Sequence, residues 1–168
     1  MTSADTTTTT AAAIGLLQDR AAIADAMHRF AAGLDLADAE LLTSSLTEDA
    51  VVDVTPATEK IGLEFPVLGP RGMVVGALMA GVGPLDTSHS LSNLRIDVTA
   101  DTATVRCNAQ VMHFPPGEGP DPARTRHALL MNRYTAALVR HSETWRIKHL
   151  LGELAWFQGD PAVLGSPT

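Results

Sequence analysis

The stretch TATVRCNAQVMHF, residues 102–114, decides the fold class because apolar and polar side chains alternate strictly along it. One face carries small and aliphatic residues and ends on a histidine: Ala103, Val105, Cys107, Ala109, Val111 and His113. The other face is polar, with Thr104, Arg106, Asn108 and Gln110. A period of two predicts a half-buried β-strand, since successive side chains point to opposite faces of a sheet. His113 is therefore expected to end an inward, apolar face.

Three further runs around this stretch have strand character, at residues 87–98, 126–140 and 144–157. The connections are a tight turn at Ala100-Asp101, a longer loop over residues 115–120 and a short turn at residues 141–143. Short connections predict antiparallel neighbours. The second half of the chain is thus expected to form an antiparallel meander.

The first half of the chain is predicted to be mainly helical. Residues 14–34 carry an apolar stripe at helical spacing, formed by Ile23, Met27, Phe30, Ala31 and Leu34, and Asp19 is a candidate cap. A second helix over 37–46, a short strand over 51–54 and a helix over 73–82 follow. Helices before a meander predict a single α+β domain over residues 14–162, with helices on one face of one sheet. Residues 1–13 are expected to form a disordered leader and 163–168 a loose tail.

Composition limits the classes of function. The 168 residues are 45% hydrophobic and carry a net charge of -7, so neither a nucleic-acid-binding face nor a lipid-binding basic cluster is expected. Cys107 is the only cysteine, which excludes an intrachain disulfide and fits a reducing, cytoplasmic location. No apolar run reaches the roughly 18 residues that a membrane span needs, and residues 1–10 lack the features of a secretory signal.

Three residues are candidates for chemistry, and each also has a structural interpretation. Asp35 points along the buried stripe if the first helix continues, but caps the second helix if the first ends at Gly33. His89 lies early in a strand, as a pocket group or as an ordinary structural histidine. His113 is either a pocket residue or a core residue bonded to the backbone. Together they could supply three metal ligands, yet the spacing typical of a zinc site is missing, so we expect no metal.

Several stretches in order resemble the SnoaL-like branch of the nuclear transport factor 2-like superfamily. The resemblance covers residues 14–162 and rests on residues 19–35, 46–53, 87–96, 102–105, 145–147 and 159–161. It implies a curved antiparallel sheet wrapped around a long helix, which together form a cone with a deep pocket. In dehydratases and isomerases of this superfamily, an Asp late in the first helix bonds a His on the sheet, and Asp35 and His89 match those positions.

The resemblance also points to a mechanism. Scytalone dehydratases use one Asp and two His residues, and Asp35, His89 and His113 occur in a similar order and spacing. Those enzymes also place two tyrosines in the pocket, whereas this chain has only Tyr134. We therefore expect a cofactor-independent dehydratase or isomerase in which His89 is the base, Asp35 orients it, and His113 or Tyr134 makes the second proton transfer.

The expected substrate is a mid-sized apolar metabolite, such as a polyketide, terpenoid or steroid-like ring. The expected pocket lining is Met27, Phe30, Leu34, Met73, Met79, Val111 and Met131. An aldol cyclase and a non-catalytic ligand-binding or assembly module remain alternatives, since a fold alone does not decide function. A homodimer or larger homo-oligomer is also expected, joined through the polar outer sheet face that carries Arg106, Asn108 and Gln110.

Overall fold

Helices come first along the chain and the long strands follow. The computed structural model describes residues 3–121, 123 and 126–165. Its helices are α1 (Ser3–Asp35), α2 (Ala39–Ser44), α3 (Thr55–Thr58) and α4 (Arg71–Gly81), with short 3-10 helices at Glu59–Ile61 and Pro161–Val163. Its strands are β1 (Leu46–Asp53), β2 (Asp86–Thr99), β3 (Thr102–Phe114), β4 (Ala128–His141) and β5 (Thr144–Gly159). The α+β class predicted from the sequence is confirmed.

All five strands form one sheet, in the order β1-β5-β4-β3-β2. The pairs from β2 to β5 are antiparallel, as the short connections predicted. The sheet is nevertheless mixed, because β1 joins the free edge of β5 in parallel, with Val52 beside Leu150. The expectation of a purely antiparallel sheet was wrong in this detail, since connection length says nothing about a partner so distant in sequence.

Helix α1 packs across the inner face of the sheet and supplies much of the core. Its predicted stripe is buried, with Ile23, Met27 and Phe30 among the best covered side chains. These side chains meet the inward residues of the strands, such as Val105, Cys107 and Val111. The alternation predicted for β3 therefore decides which side chains reach the core.

The helix extends further toward the N-terminus than expected. It begins at Ser3, within the predicted leader, and the run Ala11-Ala12-Ala13 favours such an extension because alanine has the highest helix propensity. Asp19 lies inside the helix and is not a cap. At the other end of the chain, Val163 is buried, so the predicted loose tail starts later than residue 163; residues 166–168 lie outside the described residues.

Polar contacts hold α1 against the end of the β4–β5 hairpin. Arg140 on β4 donates two hydrogen bonds to the Asp19 carboxylate, at 2.7 and 2.8 Å, and its guanidinium lies 4.7 Å from the centre of the Trp145 ring. The Trp145 indole N–H also donates to Asp19, at 3.2 Å. The bonds from Arg140, opposed in part by desolvation, hold the pKa of Asp19 below its usual value. Across the described residues, no helix is both long and apolar enough to cross a membrane.

Candidate active site

Asp35 is the last residue of α1, and the local sequence brings it to the sheet. The helix runs on through Gly33, where α2 crosses so closely that a Cβ atom would lie 2.7 Å from the Leu42 backbone nitrogen. The cap of α2 is Asp38, whose Oδ1 accepts hydrogen bonds from the Glu40 and Leu41 backbone N–H groups at 3.0 and 2.9 Å. Asp35 is thus not used as a cap. Of the two interpretations of this residue, the continuing helix describes the structure.

The Asp35 carboxylate meets His89 on β2. Asp35 Oδ1 lies 2.5 Å from His89 Nδ1, and Asp35 Oδ2 accepts a hydrogen bond from the His89 backbone N–H at 2.8 Å. The Thr87 hydroxyl donates to Asp35 Oδ1 at 2.9 Å. Ring and backbone of His89 are therefore both held by the same carboxylate.

The surroundings of the pair favour an ionised Asp35 carboxylate beside an oriented His89 ring. Burial raises the pKa of Asp35, but the hydrogen bonds from His89 and Thr87 outweigh burial and bring that pKa below its usual value. An ionised carboxylate on Nδ1 requires a hydrogen on that nitrogen, so in the neutral form of the imidazole Nε2 carries the lone pair. His89 lines the cavity described below, and its side chain is only 5% exposed.

His113 stands beside His89 at the inward end of β3. The two ring centres are 5.8 Å apart and the ring planes are nearly perpendicular, at 80°. His113 Nδ1 lies 3.4 Å from the carbonyl oxygen of Ala128, a long contact in which the nitrogen is the donor. Burial, together with the nearby His89, lowers the pKa of His113 to about 4. His113 is therefore neutral near pH 7.

An apolar cavity of about 330 Å³ opens in front of these two histidines. Its wall is built by the end of α1, by β1, by residues 57–65, by α4 and the residues that follow it, and by the inner face of the sheet. The lining includes Phe30, Leu34, Val52, Leu63, Phe65, Leu78, Val82, Val111, Leu130 and Leu150. Among the described residues that line the cavity there is no Lys or Arg, and Glu64 is the one carboxylate.

Asn132 and Tyr134 add a polar patch to the β4 wall of the cavity. Both are buried, and a hydrogen bond from the Asn132 side chain reaches the Tyr134 hydroxyl. Burial raises the pKa of Tyr134 to about 12 in spite of that bond. Asn132 Oδ1 is buried and has no hydrogen-bond partner among the described residues. Asn132 was not predicted from the sequence, although alternation along β4 marks it as a polar residue at an inward position.

Four of the seven side chains predicted to line the pocket do not do so. Phe30, Leu34 and Val111 do line it. Met27 is wholly inside the core, Met73 is 60% exposed on the outer side of α4, and Met79 packs at the rim of the core. Met131 lies between Leu130 and Asn132, which line the cavity, so alternation turns it to the other face of β4. Apolar character alone does not distinguish a side chain in the core or on the outer surface from one on the cavity wall.

Across the described residues, no three side chains of His, Cys, Asp or Glu converge in a way that could hold a metal ion. In particular, the carboxylate of Asp35 is already shared by Thr87 and His89.

A curved five-stranded sheet with a long helix on its inner face, and a cavity between them, defines a nuclear transport factor 2-like domain. The family model described as SnoaL-like domain matches residues 16–150. The chain therefore belongs to the SnoaL-like family, and the resemblance drawn from the sequence is confirmed.

A curated relative and two solved structures illustrate what the chain is similar to. The terrestric acid biosynthesis cluster protein E of Penicillium crustosum is 35% identical over 152 residues, which cover 89% of this chain and 91% of that protein. A scytalone dehydratase-like protein from Novosphingobium aromaticivorans superposes with a TM-score of 0.70 at 23% identity, covering 86% of this chain and 89% of that one.

The second solved structure is the hexachlorocyclohexane dehydrochlorinase LinA-type3 from Novosphingobium barchaimii. It gives a TM-score of 0.68 at 23% identity, covering 92% of this chain and 99% of that one. At such identities the two structures show a shared fold and no more.

Proposed function

We propose that this protein is a cofactor-independent acid–base enzyme, a dehydratase or an isomerase, acting on a mid-sized apolar metabolite such as a polyketide, terpenoid or steroid-like ring. The observation that carries the proposal is the Asp35–His89 pair, joined at 2.5 Å, with His89 on the wall of an apolar cavity. Relatives named as a biosynthesis cluster protein, a dehydratase-like protein and a dehydrochlorinase support this class of reaction.

In the proposed reaction, His89 Nε2 takes a proton from an activated carbon of the substrate. The charge on Asp35 stabilises the imidazolium that forms and keeps its ring in place. A positioned base of this kind contributes about 10²- to 10⁴-fold to a rate. The mostly apolar wall of the cavity lowers the local dielectric constant, which strengthens the attraction between the carboxylate and the imidazolium.

The second proton transfer is assigned to the same histidine. His113, with a pKa of about 4, holds no imidazolium proton near pH 7, and Tyr134, with a pKa of about 12, is a very weak acid. His89, in contrast, has just received a proton from the substrate and lies on the same cavity wall. It returns its proton to a leaving hydroxyl, which departs as water, or to another carbon, which gives the isomer. This assignment replaces the sequence-based one, in which His113 or Tyr134 was the donor.

The remaining polar groups are then left to bind the substrate. His113 Nε2 and Asn132 Oδ1 are both acceptors and suit a hydroxyl or N–H on the substrate, whereas the Tyr134 hydroxyl suits a carbonyl oxygen. A substrate carboxylate or phosphate would find no Lys or Arg on the described lining and would face Glu64. A neutral substrate is therefore favoured.

Two substitutions test the proposal. Asp35→Asn keeps the shape of the carboxylate and removes its charge, and His89→Ala removes the base. We expect each to lower turnover by at least about a hundredfold while the fold remains intact. Deuterium uptake from solvent at the acidic carbon of candidate apolar carbonyl compounds provides the assay, because it reports proton abstraction whichever product forms.

The matched control is His28→Ala, which removes an exposed histidine on α1 and should leave the exchange rate unchanged. Near-native turnover in His89→Ala would refute the acid–base mechanism. A cyclase that uses Asp35 alone, or a non-catalytic ligand carrier, would then take its place.

A further inference from the structure

Thr87 contacts the Asp35 carboxylate of the proposed acid–base pair but does not line the cavity. It lies two residues before His89 on β2, so both side chains leave the strand on the same face. Its hydroxyl donates to Asp35 Oδ1 at 2.9 Å, the same oxygen that lies 2.5 Å from His89 Nδ1. The residue opposite Thr87 on β3 is His113.

The hydrogen-bond donors around the Asp35 carboxylate differ in whether they belong to His89. Two of the hydrogen bonds come from His89, one from its ring and one from its backbone. Thr87 supplies the remaining bond in the described part of the chain. It is therefore the donor whose position does not depend on the histidine that the carboxylate orients.

We propose that Thr87 is a positioning residue, which fixes the Asp35 carboxylate and keeps the shared proton on His89. The proposal rests on the proposed function of the pair. During turnover the His89 ring gains and loses a proton, and its bond to Asp35 changes strength each time. The Thr87 hydroxyl holds Oδ1 in place through that change, so the ring returns to the same orientation.

The same hydrogen bond also governs where the proton lies. An oxygen that already accepts a hydroxyl hydrogen offers less electron density to a second one, so its proton affinity falls. Thr87 in this way lowers the pKa of Asp35, in the same direction as the bonds from His89. The titratable groups that interact with Asp35 from the elements packed against it are His89 on β2, His113 on β3 and Tyr134 on β4.

Three variants test this role without a substrate. Thr87→Val keeps the shape and removes the hydroxyl, Thr87→Ser keeps the hydroxyl, and Thr104→Val makes the same change on the outward face of β3 as a matched control. The midpoint of the Asp35 carboxyl is followed by carbon-13 NMR during an acid titration. We expect Thr87→Val to raise this midpoint by about one pH unit, and the other two variants to leave it in place.

Turnover is then measured in the same variants. We expect Thr87→Val to lower kcat about tenfold with little change in KM and to move the acid limb of the pH profile upward, and Thr87→Ser to restore both. An unchanged Asp35 midpoint and unchanged kcat in Thr87→Val would overturn the positioning role, even if Asp35→Asn and His89→Ala remain inactive. Failure of the proposed acid–base mechanism would give a different result, namely near-native turnover in His89→Ala.

Discussion

His113 is a histidine that the fold keeps uncharged. It is only 5% exposed, and burial lowers its pKa to about 4, from an unperturbed value of about 6.5. Between these two values the unfolded chain binds a proton that the folded chain does not. Stability therefore rises with pH across that range and is lost as the pH falls through it.

The residue-scale prediction follows from this difference. We expect the free energy of unfolding to fall by about 2 kcal/mol between pH 7 and pH 5 through His113 alone. His113→Phe should remove this part of the pH dependence, whereas His28→Gln, which changes an exposed histidine, should retain it. Chemical denaturation at pH 5, 6 and 7 measures the slopes, and equal slopes in the wild type and His113→Phe would contradict the assignment.

At the residue scale, part of the candidate site could be predicted from the sequence. Asp35, His89 and His113 could be predicted, because a helical stripe, a strand alternation and a family resemblance each point to one of them. Asn132 and Thr87 were not predicted, since their importance depends on partners that only the folded sheet brings near. The methionines were misplaced for a related reason, because hydrophobicity does not say whether a buried face meets the core or a cavity.

Two glycines in helices show how differently the same residue type can be used. Gly33 is required by the close crossing of α1 and α2, where the Leu42 backbone leaves no room for a Cβ atom. Gly76 lies in the exposed middle of α4, where a Cβ atom would have no heavy atom within 4 Å beyond its own helix. A glycine with open space around it only weakens its helix.

The element-scale prediction is a contrast between the two alanine variants. Gly76→Ala should stabilise the protein by about 0.5–1 kcal/mol, since alanine is the better helix former. Gly33→Ala should destabilise it by about 1–3 kcal/mol, because α2 has to move away. It should also lower turnover, because Asp35 lies only two residues further along. Thermal unfolding of both variants provides the test, and similar shifts in Tm would count against the crossing.

The elements themselves were largely predictable. The four strands of the meander were expected at 87–98, 102–114, 126–140 and 144–157, and β2 to β5 lie at nearly those positions. Alternation and turn residues are local signals, which explains this agreement. The placement of β1 next to β5 depends instead on contacts between residues far apart in the chain, for which a single sequence has no local signal.

At the scale of the whole molecule, the outer face of the sheet is more apolar than the sequence predicted. Arg106, Asn108 and Gln110 do lie on that face, as predicted. Beside them, however, Met131 pairs with Trp156 across β4 and β5, and Trp156 is 46% exposed. Met112 and Leu129 extend this patch toward β3. An exposed apolar patch bordered by polar residues is typical of a protein interface.

We therefore expect a homodimer or larger homo-oligomer joined through this face. Trp156→Ser should weaken the association at least about tenfold, because buried tryptophans commonly dominate the energy of such interfaces. Leu17→Ser, which replaces a side chain that is 66% exposed on α1, serves as the control and should have no effect. Light scattering at micromolar concentration measures the mass, and a monomer for the wild-type protein would refute the prediction.

The parallel pair of β1 and β5 has a consequence for how the protein is made. Val52 and Leu150 are neighbours in the sheet and both line the cavity, yet about two thirds of the domain separates them along the chain. Contacts between such distant segments close late and slow the folding reaction. While the ribosome is still translating the meander, β1 lacks the strand with which it will pair, and among the described residues only Leu68 bridges it. The cavity therefore comes into being only after β5 has left the ribosome, so a ligand can protect the completed chain but not the growing one.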